Sequence, residues 1–129
     1  MIELKKSELE QALLTISTYD SKTKELINGL LKENLTLGTK RKIQKIHKAI
    51  YTVFQEFVED FKEIQKACEK EEKNEKGEPV YDIEKFNKEI QILQDEVVKL
   101  DVEQFQLSQI ENIPTTSNYN FDIIEKLAI

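Results

Sequence analysis

The sequence predicts a mostly α fold with a minor β component: a long central helix in an antiparallel helical hairpin, flanking helices, and a small two-stranded β patch. A pure helical bundle is the alternative. Three observations predict it. First, 129 residues contain only three Gly and two Pro, too few breakers for a strand-and-turn fold, which needs a turn signal roughly every 8–12 residues. Second, apolar residues recur at helical spacing over more than twenty consecutive residues in the middle of the chain. Third, strict alternation appears in two short segments, near the N-terminus and after residue 97. The length suits one domain spanning 1–129.

Taken in order, Ile2 and Leu4 alternate with polar residues and predict a short strand. Ser7-Glu8-Leu9-Glu10 fits a capping box, and Leu9, Leu13 and Ile16 continue as a helix over about residues 8–18. Asp20 or Ser21 can cap a second helix carrying Leu26, Ile27, Leu30 and Leu31 and ending near Asn34. Gly38 breaks that pattern and Thr39 can cap the next helix.

The third helix is the clearest. Ile43, Ile46, Ile50, Val53, Phe57, Phe61, Ile64 and Cys68 recur at spacings of 3, 4, 3, 4, 4, 3 and 4, widened by Phe54 and Val58. It should run from about Thr39 to about Lys73, on the order of 50 Å. Its heptad is interrupted at Asp60/Phe61, and aromatics are poor knobs, which argues against a coiled coil. The charged run from Glu69 to Glu78 ends at Gly77-Glu78-Pro79, the strongest turn signal. Asp82 can cap a fourth helix with Ile83, Phe86, Ile90, Leu93 and Val97. Phe86 and Ile90 should face Phe57 or Phe61. Val98, Leu100 and Val102 alternate, and Phe105 and Leu107 continue on the other phase, a strand that can pair with Ile2–Leu4. Ser108-Gln109-Ile110-Glu111 reads as a helical turn stopped by Pro114. Thr115 to Asn120 reads as a polar loop, and Phe121, Ile124 and Leu127 as a terminal helix.

Composition excludes several classes. The net charge of −6 opposes nucleic acid and anionic membranes as partners. No apolar run approaches the ~18 residues of a membrane helix. The single Cys68 cannot form an internal disulfide, and no Cys/His cluster offers a zinc set. The start Met1-Ile2-Glu3-Leu4-Lys5-Lys6 has no apolar signal region, so a reducing cytoplasm is expected and secretion is not. On that expectation Asn34-Leu35-Thr36 is a chance glycosylation sequon.

Chemistry-bearing residues are few. His47 lies beside the apolar stripe of the long helix, where a flank residue at the core edge is the plainer reading. A general base would need a nucleophile and an orienting group that the sequence does not indicate. Cys68 continues the stripe and reads as core. No phosphate loop, zinc-protease or calcium-loop motif occurs. No catalytic residue, metal site or cofactor is expected.

One cluster breaks a local rule. Lys40, Arg41, Lys42, Lys45 and Lys48 crowd the first turns of the long helix, with no acid from Asn34 to Gln55. Cations there oppose the helix dipole. Arg41, Lys45 and Lys48 share one face, opposite Ile43, Ile46 and Ile50. The five cations leave the rest of the chain at −11, so the acids of the fold or of an oligomer are candidate counter-charges, as is an anionic ligand or acidic partner. Nucleic acid fits least, given one short patch.

The opening Ile2-Glu3-Leu4-Lys5-Lys6-Ser7-Glu8-Leu9 resembles the start of a family of small tailed-bacteriophage and prophage proteins without an assigned activity. The turn Gly77-Glu78-Pro79 followed by Glu84-Lys85-Phe86-Asn87-Lys88-Glu89 is similar too. So is Leu107-Ser108-Gln109-Ile110-Glu111-Asn112-Ile113 before an apolar C-terminal helix. The stretch from Tyr19 to Asn34 is longer than in that family. The resemblance implies phage origin, in a host cytoplasm or incorporated into the virion, and carries no site residues. The function expected is a non-enzymatic binding protein acting through protein–protein contacts with itself, a virion protein or a host protein, as an assembly accessory or inhibitor. The alternative is a sponge for an anionic small molecule such as a signalling nucleotide, held by the basic helix start.

Overall fold

Ile2 and Leu4 point one way and Glu3 and Lys5 the other, and a strand with that alternation needs a partner over a core. A computed structural model supplies it: β1 (Ile2–Lys5) pairs antiparallel with β6 (Val97–Leu100), with Ile2 opposite Leu100 and Leu4 opposite Val98. The structure describes residues 1–111, 113 and 119–129, with the backbone alone at Glu71, Glu72, Lys73 and Pro79. The expected stop at Pro114 and most of the expected 115–120 loop lie outside the described residues.

Between these strands run α1 (Leu9–Ile16), the hairpin β2 (Thr18–Tyr19) and β3 (Leu26–Asn28), the long α2 (Leu37–Ala67), the hairpin β4 (Glu69–Lys73) and β5 (Pro79–Tyr81), and α3 (Ile83–Asp95). After β6 come a 3-10 turn at Leu107–Ile110 and α4 (Phe121–Leu127). The fold is mostly α, with small two-stranded antiparallel sheets. Ile2, Leu9, Ile16, Leu30, Ile43, Ile46, Ile50, Phe105, Ile124 and Leu127 meet in one core. Phe105 also bridges Ala128 in parallel, with the Ile129 amide donating to the Phe105 carbonyl at 2.9 Å.

The long helix, the Asp82 cap, the helical hairpin and the terminal helix are where the sequence places them. Asp82 Oδ1 accepts the Lys85 amide at 3.2 Å. Phe86 meets Phe61 edge-to-face, ring centres 5.6 Å apart, the antiparallel contact expected of α2 and α3.

Several boundaries differ, each for a local reason. The helix expected to end near Asn34 is instead the β2–β3 hairpin and a 3-10 turn at Leu30–Lys32. Asp20 makes its turn, Oδ1 accepting the amides of Lys22 and Thr23 at 2.8 and 2.9 Å, which is how Asp competes with helix. Gly29 then requires φ +113°, outside helical space. Helix α2 is capped by Thr36, whose Oγ1 accepts the Thr39 amide at 3.3 Å, so Gly38 lies inside the helix and Thr39 is buried. The helix ends at Ala67 rather than near Lys73. Glu69–Lys73 has good helix propensity, but the Asn74–Glu78 turn folds it onto β5: Asn74 Oδ1 accepts the Lys76 and Glu78 amides, each at 2.9 Å, and Gly77 takes φ +77°. The expected 98–107 strand is shorter, ending at Leu100. The first cap is made by Glu8, which accepts the Lys5 amide at 2.9 Å, rather than by Ser7 and Glu10. In α4, Ile123 replaces Phe121 on the buried face.

Of the three glycines, Gly29 is the one with no room for a side chain. A Cβ there would stand 2.4 Å from the Ile16 carbonyl oxygen, while one at Gly38 would meet nothing within 4 Å. Gly29→Ala should therefore destabilise by at least about 2 kcal/mol. Gly38→Ala should stabilise by about 0.5 kcal/mol. Chemical denaturation of both variants checks this, and equal midpoints would contradict it.

Candidate functional site

Helix α2 has 31 residues and is about 46 Å long. Its fully buried positions, Thr39, Ile43, Ile46 and Ile50, all belong to the first half. Val53, Phe54 and Phe57 border the core, and beyond them the helix leaves it. Cys68, 2% exposed, and Ile90 and Leu93 of α3 are buried outside the main core. The far half of α2, the β4–β5 hairpin and the start of α3 thus form an arm with a thin interior of its own.

Of the five cations singled out in the sequence, the structure brings three together. Arg41, Lys45 and Lys48 are exposed on one face of α2, opposite Ile43, Ile46 and Ile50. Among the described residues, none of the three has a carboxylate within 4.0 Å. Lys42 leaves the group: it is half-buried on a flank, its ammonium 3.6 Å from Glu103. Lys40 is half-buried on the other flank, its amide bonded to the Thr36 carbonyl at 3.0 Å. The separation follows from helix geometry, because about 100° per residue carries positions 40 and 42 off the face that 41, 45 and 48 share. The three cations stand on a convex helix surface, which suits a broad acidic partner better than a small anion, since small-ligand sites are concave.

A second surface was not legible as such in the sequence. Phe54, Val58, Phe61 and Gln65 follow one another at spacings of 4, 3 and 4 along one flank of the arm. Tyr51, Phe54 and Val58, with Gln55, Glu59 and Lys62, line a shallow cleft of about 310 Å³. Further out, Gln65, Tyr81, Ile83, Phe86 and Asn87 line another of about 280 Å³. Ile83 is 68% exposed and Tyr51 48% exposed. The apolar period of α2 marks these residues as a stripe, but only the fold shows that the stripe outruns its cover.

His47 is half-buried beside this flank, its ring stacked on Tyr51 with centres 6.3 Å apart. Burial lowers its pKa below the ordinary 6.5. Elsewhere, burial of Tyr119 and the Glu33 carboxylate that accepts its hydroxyl together raise the phenol. Burial would raise Glu8, but hydrogen bonds from Lys126 and the Lys5 amide outweigh it and lower the carboxyl. Among the described residues, no group of three or more His, Cys, Asp or Glu lies close enough to hold a metal, and no helix is long and apolar enough to cross a membrane.

No family model, curated protein or solved structure matches this chain.

The His47 environment has a pH consequence. A histidine with a lowered folded pKa stabilises the fold while neutral, so its contribution is complete above pH 6.5 and is lost as pH falls through the folded value. The lowered Glu8 acts only below its ordinary 4.5. Thermal unfolding should therefore move to lower temperature between about pH 7 and pH 5, and His47→Gln should flatten that slope. An unchanged slope in the variant would contradict the assignment.

Proposed function

We propose that this chain is a non-enzymatic interaction protein acting through protein–protein contacts, and that the apolar flank of the arm is its contact surface. The observation that carries this reading is that Tyr51 and Ile83 stand exposed on this flank, beside half-buried Phe54, Val58 and Phe61, with two shallow clefts, one lined by Tyr51, Phe54 and Val58 and the other by Ile83 and Phe86. Scattered exposed apolar residues need no explanation, but apolar clefts edged by Gln55, Glu59, Lys62 and Gln65 have the make-up of a partner surface. The likeness of the chain's opening, its Gly77-Glu78-Pro79 turn and its closing segments to small tailed-phage proteins supports a role as a virion-assembly accessory or as an inhibitor of a host protein.

A photo-crosslinking residue at position 83 tests the reading in the producing cell. Position 83 should give one discrete adduct of higher mass, and position 25, on the exposed β2–β3 turn, none. Ile83→Asp should leave stability within about 0.5 kcal/mol, because it changes an exposed first-turn position where an acid suits the helix dipole. The same substitution combined with a crosslinker at position 58 should abolish the adduct. Equal yields from positions 25 and 83 would overturn the reading.

A further inference from the structure

The outer face of α2, opposite the core, carries a pattern that local helix energetics does not favour. Arg41, Lys45, Lys48, Thr52, Glu56, Glu59 and Glu63 recur at spacings of 4, 3, 4, 4, 3 and 4, and all seven are exposed. Three cations come first, then a neutral residue, then three acids. Cations toward the N-terminus and acids toward the C-terminus reverse the order that the macrodipole favours at helix ends. The segregation also forgoes the opposite-charge pairs that an alternating face would make three and four residues apart. Within one copy, then, the cationic block has only like-charged or neutral neighbours one turn away, while Lys62 and Lys66 follow Glu59 and Glu63 by three residues without an ion pair within 4.0 Å among the described residues.

The spacing is palindromic about Thr52. Turned end for end, the face superimposes on itself with every sign reversed. A second α2 laid antiparallel sets Arg41 against Glu63, Lys45 against Glu59 and Lys48 against Glu56, each twice by symmetry, with Thr52 on the two-fold axis. Lys66, which continues this face beyond Glu63, then falls opposite Gly38 of the second copy, where no like charge stands. The seam spans Arg41 to Glu63, about 33 Å of helix, and the two antiparallel dipoles add to the attraction.

We infer that the chain self-associates as a two-fold symmetric dimer through this face of α2, with the basic half of each helix on the acidic half of the other. The occupant is a second copy of this chain because the register that pairs all three cations with acids is the one a two-fold axis through Thr52 creates. This face borders the apolar flank of the arm at Glu59, which also lines the cleft beside Tyr51, Phe54 and Val58, whereas Lys45, Lys48 and position 83 lie off that edge, so the two readings can be tested independently. A polar seam of one helix pair predicts a salt-sensitive dimer of modest affinity.

Light scattering of the full chain should give about 30 kDa, twice the 15.1 kDa of one copy, at about 20 mM salt, and about 15 kDa at about 0.5 M. The double variant Lys45→Glu with Lys48→Glu should be monomeric at low salt, as should Glu56→Lys with Glu59→Lys. Circular dichroism establishes that both remain folded, which exposed positions allow. An equimolar mixture of the two variants should return to about 30 kDa, because each then meets its opposite charge in the same register. Thr52→Cys should cross-link to itself on mild oxidation, whereas the native chain, with Cys68 buried, should not. A wild-type chain that stays monomeric at low salt up to about 1 mM would overturn the inference. So would a dimer that either reversal leaves intact, or variants that fail to recombine. None of those results touches the adduct expected at position 83, so loss of the dimer leaves the reading of the arm standing.

Discussion

The core of this protein is shorter than its principal helix, and most of what distinguishes the structure follows from that mismatch. Ile43, Ile46 and Ile50 of α2 are sealed by β1, α1, Leu30, Phe105 and α4. That core spans about two turns of a helix with more than eight. The remaining turns keep the same apolar period, so the far half must be covered by something else. Within the chain, α3 and the β4–β5 hairpin do part of this. Phe61 meets Phe86, and the Cys68 carbonyl accepts the Asp82 amide at 2.8 Å, fixing where the hairpin hands over to α3. The flank through Tyr51, Phe54 and Val58 keeps only shallow clefts above it.

The same mismatch explains why charge on α2 is informative. A helix wrapped on all sides offers no free face, and its charges would report on neighbours within the fold. Here a full-length outer face is left to solvent, and its charges are sorted by sign along the axis. Lys42 shows the contrast: on the flank it has an intramolecular acid, Glu103. Arg41, Lys45 and Lys48, on the outer face, have none among the described residues. The acidic half of the same face has the spacing to supply their counter-charge from a second molecule. On the two readings proposed above, the apolar flank would contact a different protein and the charged face a second copy.

Much of the fold was legible because its long-range order is written in short periods. The stripe from Ile43 to Ile64, the alternation at Ile2–Leu4 and Val98–Leu100, and the Asp82 cap each have one dominant local reading, and tertiary contacts agree with it. Sequence expectation and structure part where two local readings compete. Leu26, Ile27, Leu30 and Leu31 fit a helix, yet Asp20 and Gly29 together specify a hairpin and a sharp exit, and Gly29 is pressed against the Ile16 carbonyl in a way no periodicity reveals. Glu69–Lys73 fits a helix by propensity and becomes a strand because β5 offers it a partner. For the candidate surfaces, helical angle alone was enough to place Arg41, Lys45 and Lys48 on one face. It could not show that Lys42 would find Glu103, sixty-one positions along the chain, or that the apolar stripe would run past its cover.

The central claim is that α2 is one continuous helix of which the core holds only the near half. Hydrogen exchange along α2 at low protein concentration tests it directly. The account predicts a step: amides from about Ile43 to Val53 should exchange only through global unfolding, and those from Val58 to Lys66 through cheaper local opening. Uniform protection from Ile43 to Lys66, with every amide as slow as the core, would mean that the arm is as firmly held as the body and would contradict the account.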